Sequence, residues 1–205
     1  MAARRADMRN KIGLFCMTLG TVCIAAALSL FLWNQRADQS AGASVDSILP
    51  QVEQRVAQTP PENDDPYDTA MTEVEIDGYA YIGYLSIPDL GLELPVMSEW
   101  DYTRLKIAPC RYSGSTKSDD LVIAAHNYTR HFRSLKRLPI GAEVTFTDMD
   151  GVVSVYEVVA TDILAPTDVA EMTAGDYDLT LFTCTYGNRS RVTVRCERAG
   201  EVAEG

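Results

Sequence analysis

Hydrophobic and polar positions change their pattern three times along the chain. Residues 12–33 (IGLFCMTLGTVCIAAALSLFLW) run for 22 positions without a charged side chain. As a helix rising ~1.5 Å per residue, such a run reaches roughly 33 Å and crosses a hydrocarbon core of about 30 Å. No polar face interrupts it, which separates it from the helix of a soluble core. Residues 45–58 (VDSILPQVEQRVAQ) read as a short helix interrupted at Pro50 or as a spacer. Residues 59–68 (TPPENDDPYD) are rich in proline and acid with no apolar period, the mark of a linker.

Beyond residue 70 the period shortens to two, with short β-rich runs parted by turn residues. Strands are predicted over 79–87, 92–97, 121–125, 143–147, 152–164, 179–184 and 191–197, with a weaker one at 108–112. Short helical pieces are expected at 99–107, 130–135 and 168–173. Seven or eight strands in a stretch of this size point to an all-β domain, a closed barrel or a sandwich. The predicted organisation is a basic N-terminus (1–11), a membrane anchor (12–33), a spacer and linker (34–70), a β-domain (71–198) and a short tail (199–205).

Charge orients this arrangement. Arg4, Arg5, Arg9 and Lys11 precede the apolar run, with Asp7 the one acid among them. By the positive-inside rule the N-terminus stays in the cytoplasm and the β-domain lies outside the cell. A cleaved signal peptide is the rival reading, with SAGAS at 40–44 as its small-residue site, but an h-region is ordinarily only ~7–15 residues long. The net charge of −11 argues against a nucleic-acid partner held through phosphates. Two histidines, and no CxxC or HExxH spacing, give little basis for a zinc site, and no metal or other cofactor is expected. The carboxylates Asp119, Asp120 and Glu171 are read as scattered surface charges rather than a calcium site.

Chemistry concentrates in the hairpin TLFTC-TYGNRS-RVTVRCE. Cys184 ends one strand, six residues follow, and Arg191 opens the return strand. Antiparallel pairing puts the two at or near opposite positions, with Cβ atoms ~4.5–5.5 Å apart on one face. A guanidinium beside a thiol favours the thiolate. It also stands ready to hold an oxyanion. On geometry alone Cys184 is either that reactive group or a small buried hydrophobe. In LVIAAHNYTRHF, five apolar residues form a strand and His126 stands where it stops, suited to trading protons near neutral pH. His131, in the polar turn that follows, is read as a surface residue. Of five cysteines, Cys16 and Cys23 fall in the apolar run. Cys110 and Cys196 either pair as a disulfide, which an extracellular domain permits, or stay as separate buried thiols.

Three segments resemble the sortase family. TLFTC, followed by a short loop and an arginine opening the last strand, is similar to the family's TLxTC signature. LVIAAHN resembles the segment carrying the family histidine, and YIGYLSIPDLGLELPVM resembles its opening hairpin. The likeness covers roughly residues 75–198, about 60% of the chain.

The resemblance implies a closed β-barrel of seven to eight strands with a few short helices behind one transmembrane helix. It implies a cysteine transpeptidase that cleaves an LPXTG-like signal between Thr and Gly through a thioacyl intermediate. The acyl group then passes to an amine of peptidoglycan or to a pilin lysine. Cys184 corresponds to the nucleophile, His126 to the acid and base, Arg191 to the residue orienting substrate and oxyanion, and Thr183 to a contact for the sorting motif. Arg195, four residues along the same strand face, is the alternative to Arg191. Use of water as acceptor, or a non-catalytic barrel serving adhesion, are the competing functions. The 165–178 segment lacks the long helical insertion of class B, and no aromatic-acid lid of the class C kind precedes the first strand, so no subclass is assigned.

Overall fold

The computed structural model describes residues 2–58, 70–174, 176–185, 187 and 189–199, with side chains from Gly13 onward. The 59–68 linker and the tail from residue 200 lie outside the described residues. The chain divides into two compact units, Met1–Gln39 and Ser40–Gly205. Helix α1 (Ala2–Gln58) supplies the whole of the first and the opening of the second.

In the first unit the described large apolar side chains are exposed. Leu19 and Leu32 are 52% exposed and Trp33 75%. An 18-residue window reaches a mean hydropathy of 2.2 with none of it buried, so by length and composition α1 can cross a membrane. Thr18, Thr21 and Ser29 turn their hydroxyls back onto carbonyls of the preceding turn, which satisfies them without water.

In the second unit α1 has one buried face. Ala41, Val45, Ile48 and Val52 are buried at intervals of four, three and four residues, the spacing of a single helical stripe. Of the two readings of residues 45–58, the helix is the one found, without the break at Pro50. The helix continues through Pro50, whose ring faces solvent, because the apolar stripe continues on both sides of it and outweighs the lost backbone hydrogen bond. Asp46 pairs with Arg130, and Gly42 lies so near Arg130 that a Cβ there would stand 3.0 Å from its Cγ.

Among the described residues nine strands follow: β1 (Val74–Ile76), β2 (Tyr79–Ile87), β3 (Leu92–Met97), β4 (Cys110–Ser113), β5 (Leu121–Ala125), β6 (Glu143–Asp148), β7 (Val153–Leu164), β8 (Leu179–Cys184) and β9 (Arg191–Arg198). Eight of them match the predicted runs closely. The three-residue β1 was not predicted. The sheet order is β1-β2-β3-β4-β5-β8-β9-β7-β6, and β6 pairs back onto β2 to close an eight-stranded barrel with β1 at its margin. Closure is tight at Gly83, where φ is +144° and a Cβ would sit 2.1 Å from the Thr147 carbonyl oxygen; only glycine fits there. The expected helix at 99–107 is reduced to a 3-10 turn at Arg104–Lys106, and the piece at 168–173 to a single turn, α2 (Val169–Met172).

Alternation along the strands gives two apolar clusters. Leu121, Ile123, Leu179, Leu181, Val194 and Cys196 fill the barrel interior with Phe146 and Tyr156. Val122, Ala124 and Phe182, the intervening positions, lie in a second cluster outside the wall together with Cys110, Leu164 and Met172. The outer face of β8 and β9 is therefore a built surface, and the candidate site stands at its end.

Candidate active site

LTLFTC forms a strand because its β-branched and aromatic residues suit a pleated surface, with Leu179 and Leu181 inward and Thr180, Phe182 and Cys184 outward. β9 pairs with it antiparallel over the whole length, and Cys184 stands directly opposite Arg191. Arg191 Nη1 donates to Cys184 Sγ at 2.9 Å. The loop between them is clasped at its base, where Thr185 N–H donates to the Ser190 carbonyl at 2.9 Å and Ser190 N–H to Thr185 Oγ1 at 3.1 Å. Gly187 takes a φ of +80° at the turn.

The thiol is half-buried. Burial raises its pKa above the ordinary value, and the Arg191 guanidinium pulls it back only in part. The arginine thus acts in the expected direction, but desolvation is the larger influence, and the resting group is a thiol.

His126 is the first residue beyond β5. That strand runs parallel to β8 with Ala125 opposite Thr183, so His126 and Cys184 step together off the ends of neighbouring strands, which lie ~4.8 Å apart. Phe132 N–H donates to the His126 carbonyl at 3.2 Å, and the Tyr128 ring lies 4.8 Å from the imidazole. Burial, and then the charge of Lys106, hold the imidazole below its usual pKa. Lys106 comes from the 3-10 turn between β3 and β4. It carried no signal in the sequence, because nothing local links it to a histidine twenty residues on.

Thr183, expected to touch substrate, is buried, and its hydroxyl donates to the Ala125 carbonyl at 2.8 Å. Neighbouring residues of a strand face opposite ways, so with Cys184 outward Thr183 turns inward and ties β8 to the end of β5. His131, expected at the surface, is fully buried, because the chain turns back after Tyr128 and carries it inward beside the buried Phe132. Arg195 is only 2% exposed and fully engaged away from Cys184, which leaves Arg191 as the arginine beside the thiol. Cys110 and Cys196 are separate free thiols in different clusters, each pushed up to about 12 by burial.

Aromatic rings flank the site. Phe182, on the Cys184 face, meets Tyr112 edge-on at 5.3 Å, and Tyr112 stacks on Trp100 at 5.0 Å. Beside them a hollow of about 430 Å³ is lined by Ser98, Glu99, Trp100, Arg111 and Tyr112. Asp119 is taken up by Arg198, and Asp120 accepts from Ser115 N–H and Ser118 Oγ. Among the described residues no group of three or more His, Cys, Asp or Glu could hold a metal ion.

The arrangement is shared with known proteins. A sequence model described as the Sortase domain matches residues 85–199. Sortase C1 from Streptococcus suis is 29% identical, with a TM-score of 0.51 over 60% of this chain and 75% of that one. Sortase C1 from Streptococcus agalactiae is 27% identical, with a TM-score of 0.54 over 61% and 70%. Sortase C-3 from Streptococcus pneumoniae, 24% identical, shares the fold over 80% of this chain and 84% of its own, with a TM-score of 0.53. Among curated protein sequences none matches. Since the domain match takes in more than half of the residues, and those residues build the barrel that solved sortases share, the chain belongs to the sortase family.

Proposed function

We propose that this protein is a cysteine transpeptidase acting on LPXTG-like sorting signals, with Cys184, His126 and Arg191 as its catalytic residues. The observation carrying this reading is the 2.9 Å contact between Arg191 and Cys184 at the end of a strand whose parallel neighbour runs out just before His126. The thiolate form of Cys184 attacks the threonyl carbonyl carbon, and the carbonyl electrons move onto oxygen. The Arg191 guanidinium stands beside this carbon's attacker and stabilises the oxyanion. Collapse breaks the Thr–Gly bond, with the proton on His126 passing to the departing glycine nitrogen. A thioester on Cys184 remains. An incoming amine, from peptidoglycan or a pilin lysine, loses its proton to His126 and takes the acyl group.

The pKa directions bear on this scheme. With the thiol raised and the imidazole lowered, the neutral pair dominates at neutral pH and the thiolate–imidazolium form is a minority species. Its population peaks between the two pKa values, so the rate follows a bell whose limbs belong to the pair. The apolar helix supports a single-pass anchor, and the basic residues before it support a cytoplasmic N-terminus with the barrel outside.

The test uses the full chain in detergent micelles, a panel of LPXTG-type peptides and an amine acceptor, with products read by mass spectrometry. Wild type yields a threonyl-amine product and Cys184→Ala yields none. Release of free acid alone, with ample amine present, would replace the transpeptidase by a hydrolase. No change in any peptide, from an enzyme whose Cys184 also ignores alkylating reagents, would end the enzymatic reading.

A further inference from the structure

Arg195 lies on β9 four residues from Arg191 and on the same outward face, roughly 13 Å along the strand. Yet its side chain is 2% exposed. A buried guanidinium is costly unless its donors are satisfied, and here they are. Nη2 donates to the Glu171 carbonyl at 2.6 Å, Nη1 to the Met172 carbonyl at 3.0 Å and to Thr180 Oγ1 at 3.0 Å, and Nε lies 3.4 Å from Asp162 Oδ2. The Tyr177 ring covers it at 5.2 Å. Two of these partners are carbonyls of α2, in the connection from β7 to β8.

That connection borders the candidate site. It leaves β7 at Leu164, whose partner across the ladder is Arg191, which itself faces Cys184. Met172, the end of α2, shares the outer cluster with Leu164 and Phe182, and Phe182 stands on the Cys184 face of β8. Residues 165–174 therefore form a wall on the outer face of the sheet, the face that also carries Cys184. No regular ladder holds this wall, since α2 is one turn long. The anchor is the guanidinium fork, which reaches two successive carbonyls and a threonine at once, as a lysine cannot.

Resting on the transpeptidase reading above, we propose that Arg195 is a positioning residue that holds residues 165–174 as one wall of the peptide cleft. It sets how tightly the sorting-signal peptide is gripped without touching the reacting atoms. The experiment compares full-length wild type with Arg195→Met and Arg195→Lys in detergent, reading kcat, KM and the rate of proteolytic cleavage in the β7–β8 connection.

The expected result for Arg195→Met is a KM about 10-fold higher with kcat within about 3-fold. Cleavage in the connection should quicken by ~10-fold as the wall opens locally, and Arg195→Lys should fall between. Unchanged KM and unchanged cleavage in a folded Arg195→Met would overturn the proposal. A fall in kcat with KM unmoved would also overturn it, by placing Arg195 at the reacting atoms. If wild type turns over no peptide, the transpeptidase reading fails, while the cleavage rates still decide whether Arg195 holds the wall. Should Arg195→Met not fold, Thr180→Val and Asp162→Asn each remove one partner, and smaller changes in the same directions are required.

Discussion

Each end of the β8–β9 ladder carries a cysteine and an arginine. At the tip Cys184 faces Arg191, both half-buried, with the guanidinium 2.9 Å from the sulfur. At the base Cys196 faces the barrel interior and Arg195 the outside, both buried, and neither approaches the other. The same two residue types serve differently because of strand parity and burial. Opposite residues share a face, so 184 and 191 meet, whereas 195 and 196 are neighbours on one strand and point apart. At the tip a cation and partial exposure work against the desolvation of the thiol. At the base Cys196 has desolvation alone, and its pKa is pushed up to about 12. On the proposed reading, the reactive thiol is the cysteine placed where a strand runs out.

The sharpest way to break this comparison is to delete each sulfur. Cys184→Ala should abolish transfer by ~10⁴-fold or more, since the residues of such a unit act together, while Cys196→Ala should leave the rate intact. Comparable losses from the two, in product assays on folded protein, would erase the distinction. Next in size is Arg191→Met, expected to lower kcat/KM by ~10²–10³-fold, the usual cost of one oxyanion donor. That loss should appear mainly in kcat, opposite to the KM effect expected at Arg195.

pH sharpens the comparison further. Because burial lowers His126 and raises Cys184, kcat/KM should be bell-shaped with its maximum between the two values. It should fall ~10-fold per unit beyond either limb. The acid limb reflects protonation of the thiolate–imidazolium pair, and the alkaline limb reflects loss of its imidazolium proton. An acid limb above the free-imidazole range, or an alkaline limb below the free-thiol range, would contradict the assignment. The smallest effects are structural. Cys196→Ala should cost about 1 kcal/mol of stability through the small cavity left in the interior. Thr183→Val, which removes the hydrogen bond to Ala125, should cost about 1 kcal/mol and reduce the rate only several-fold. Melting curves measured beside the kinetics separate the two kinds of change.

Much of the barrel was legible in the sequence because its strands carry their own signal. Alternation in LTLFTC and RVTVRCE, and the six residues between them, suffice to bring Cys184 opposite Arg191 before any tertiary contact is known. An uncharged run of 22 residues needs nothing more than length and hydropathy to read as a span. β1 escaped because three residues beside a proline-rich linker are too few to show a period. The stripe of Ala41, Val45, Ile48 and Val52 was obscured by Pro50 and by polar residues between. Its spacing acquires meaning only against a surface that can bury it, and that surface is the barrel.

Local pattern, then, determined the long apolar helix, eight of the nine strands among the described residues and the pairing of Cys184 with Arg191, because these depend on residue spacing within one helix or one hairpin. Tertiary structure alone decided which groups stand around that pair. The parallel register of β5 and β8 brings His126, the residue after Ala125, level with Cys184, and the charge of Lys106, from the turn between β3 and β4, bears on the imidazole. The fold of the β7–β8 connection turns Arg195 from a second candidate catalyst into a buried clamp. Those contacts join residues far apart in the chain, and their energies depend on burial, which no stretch of sequence possesses until the barrel closes.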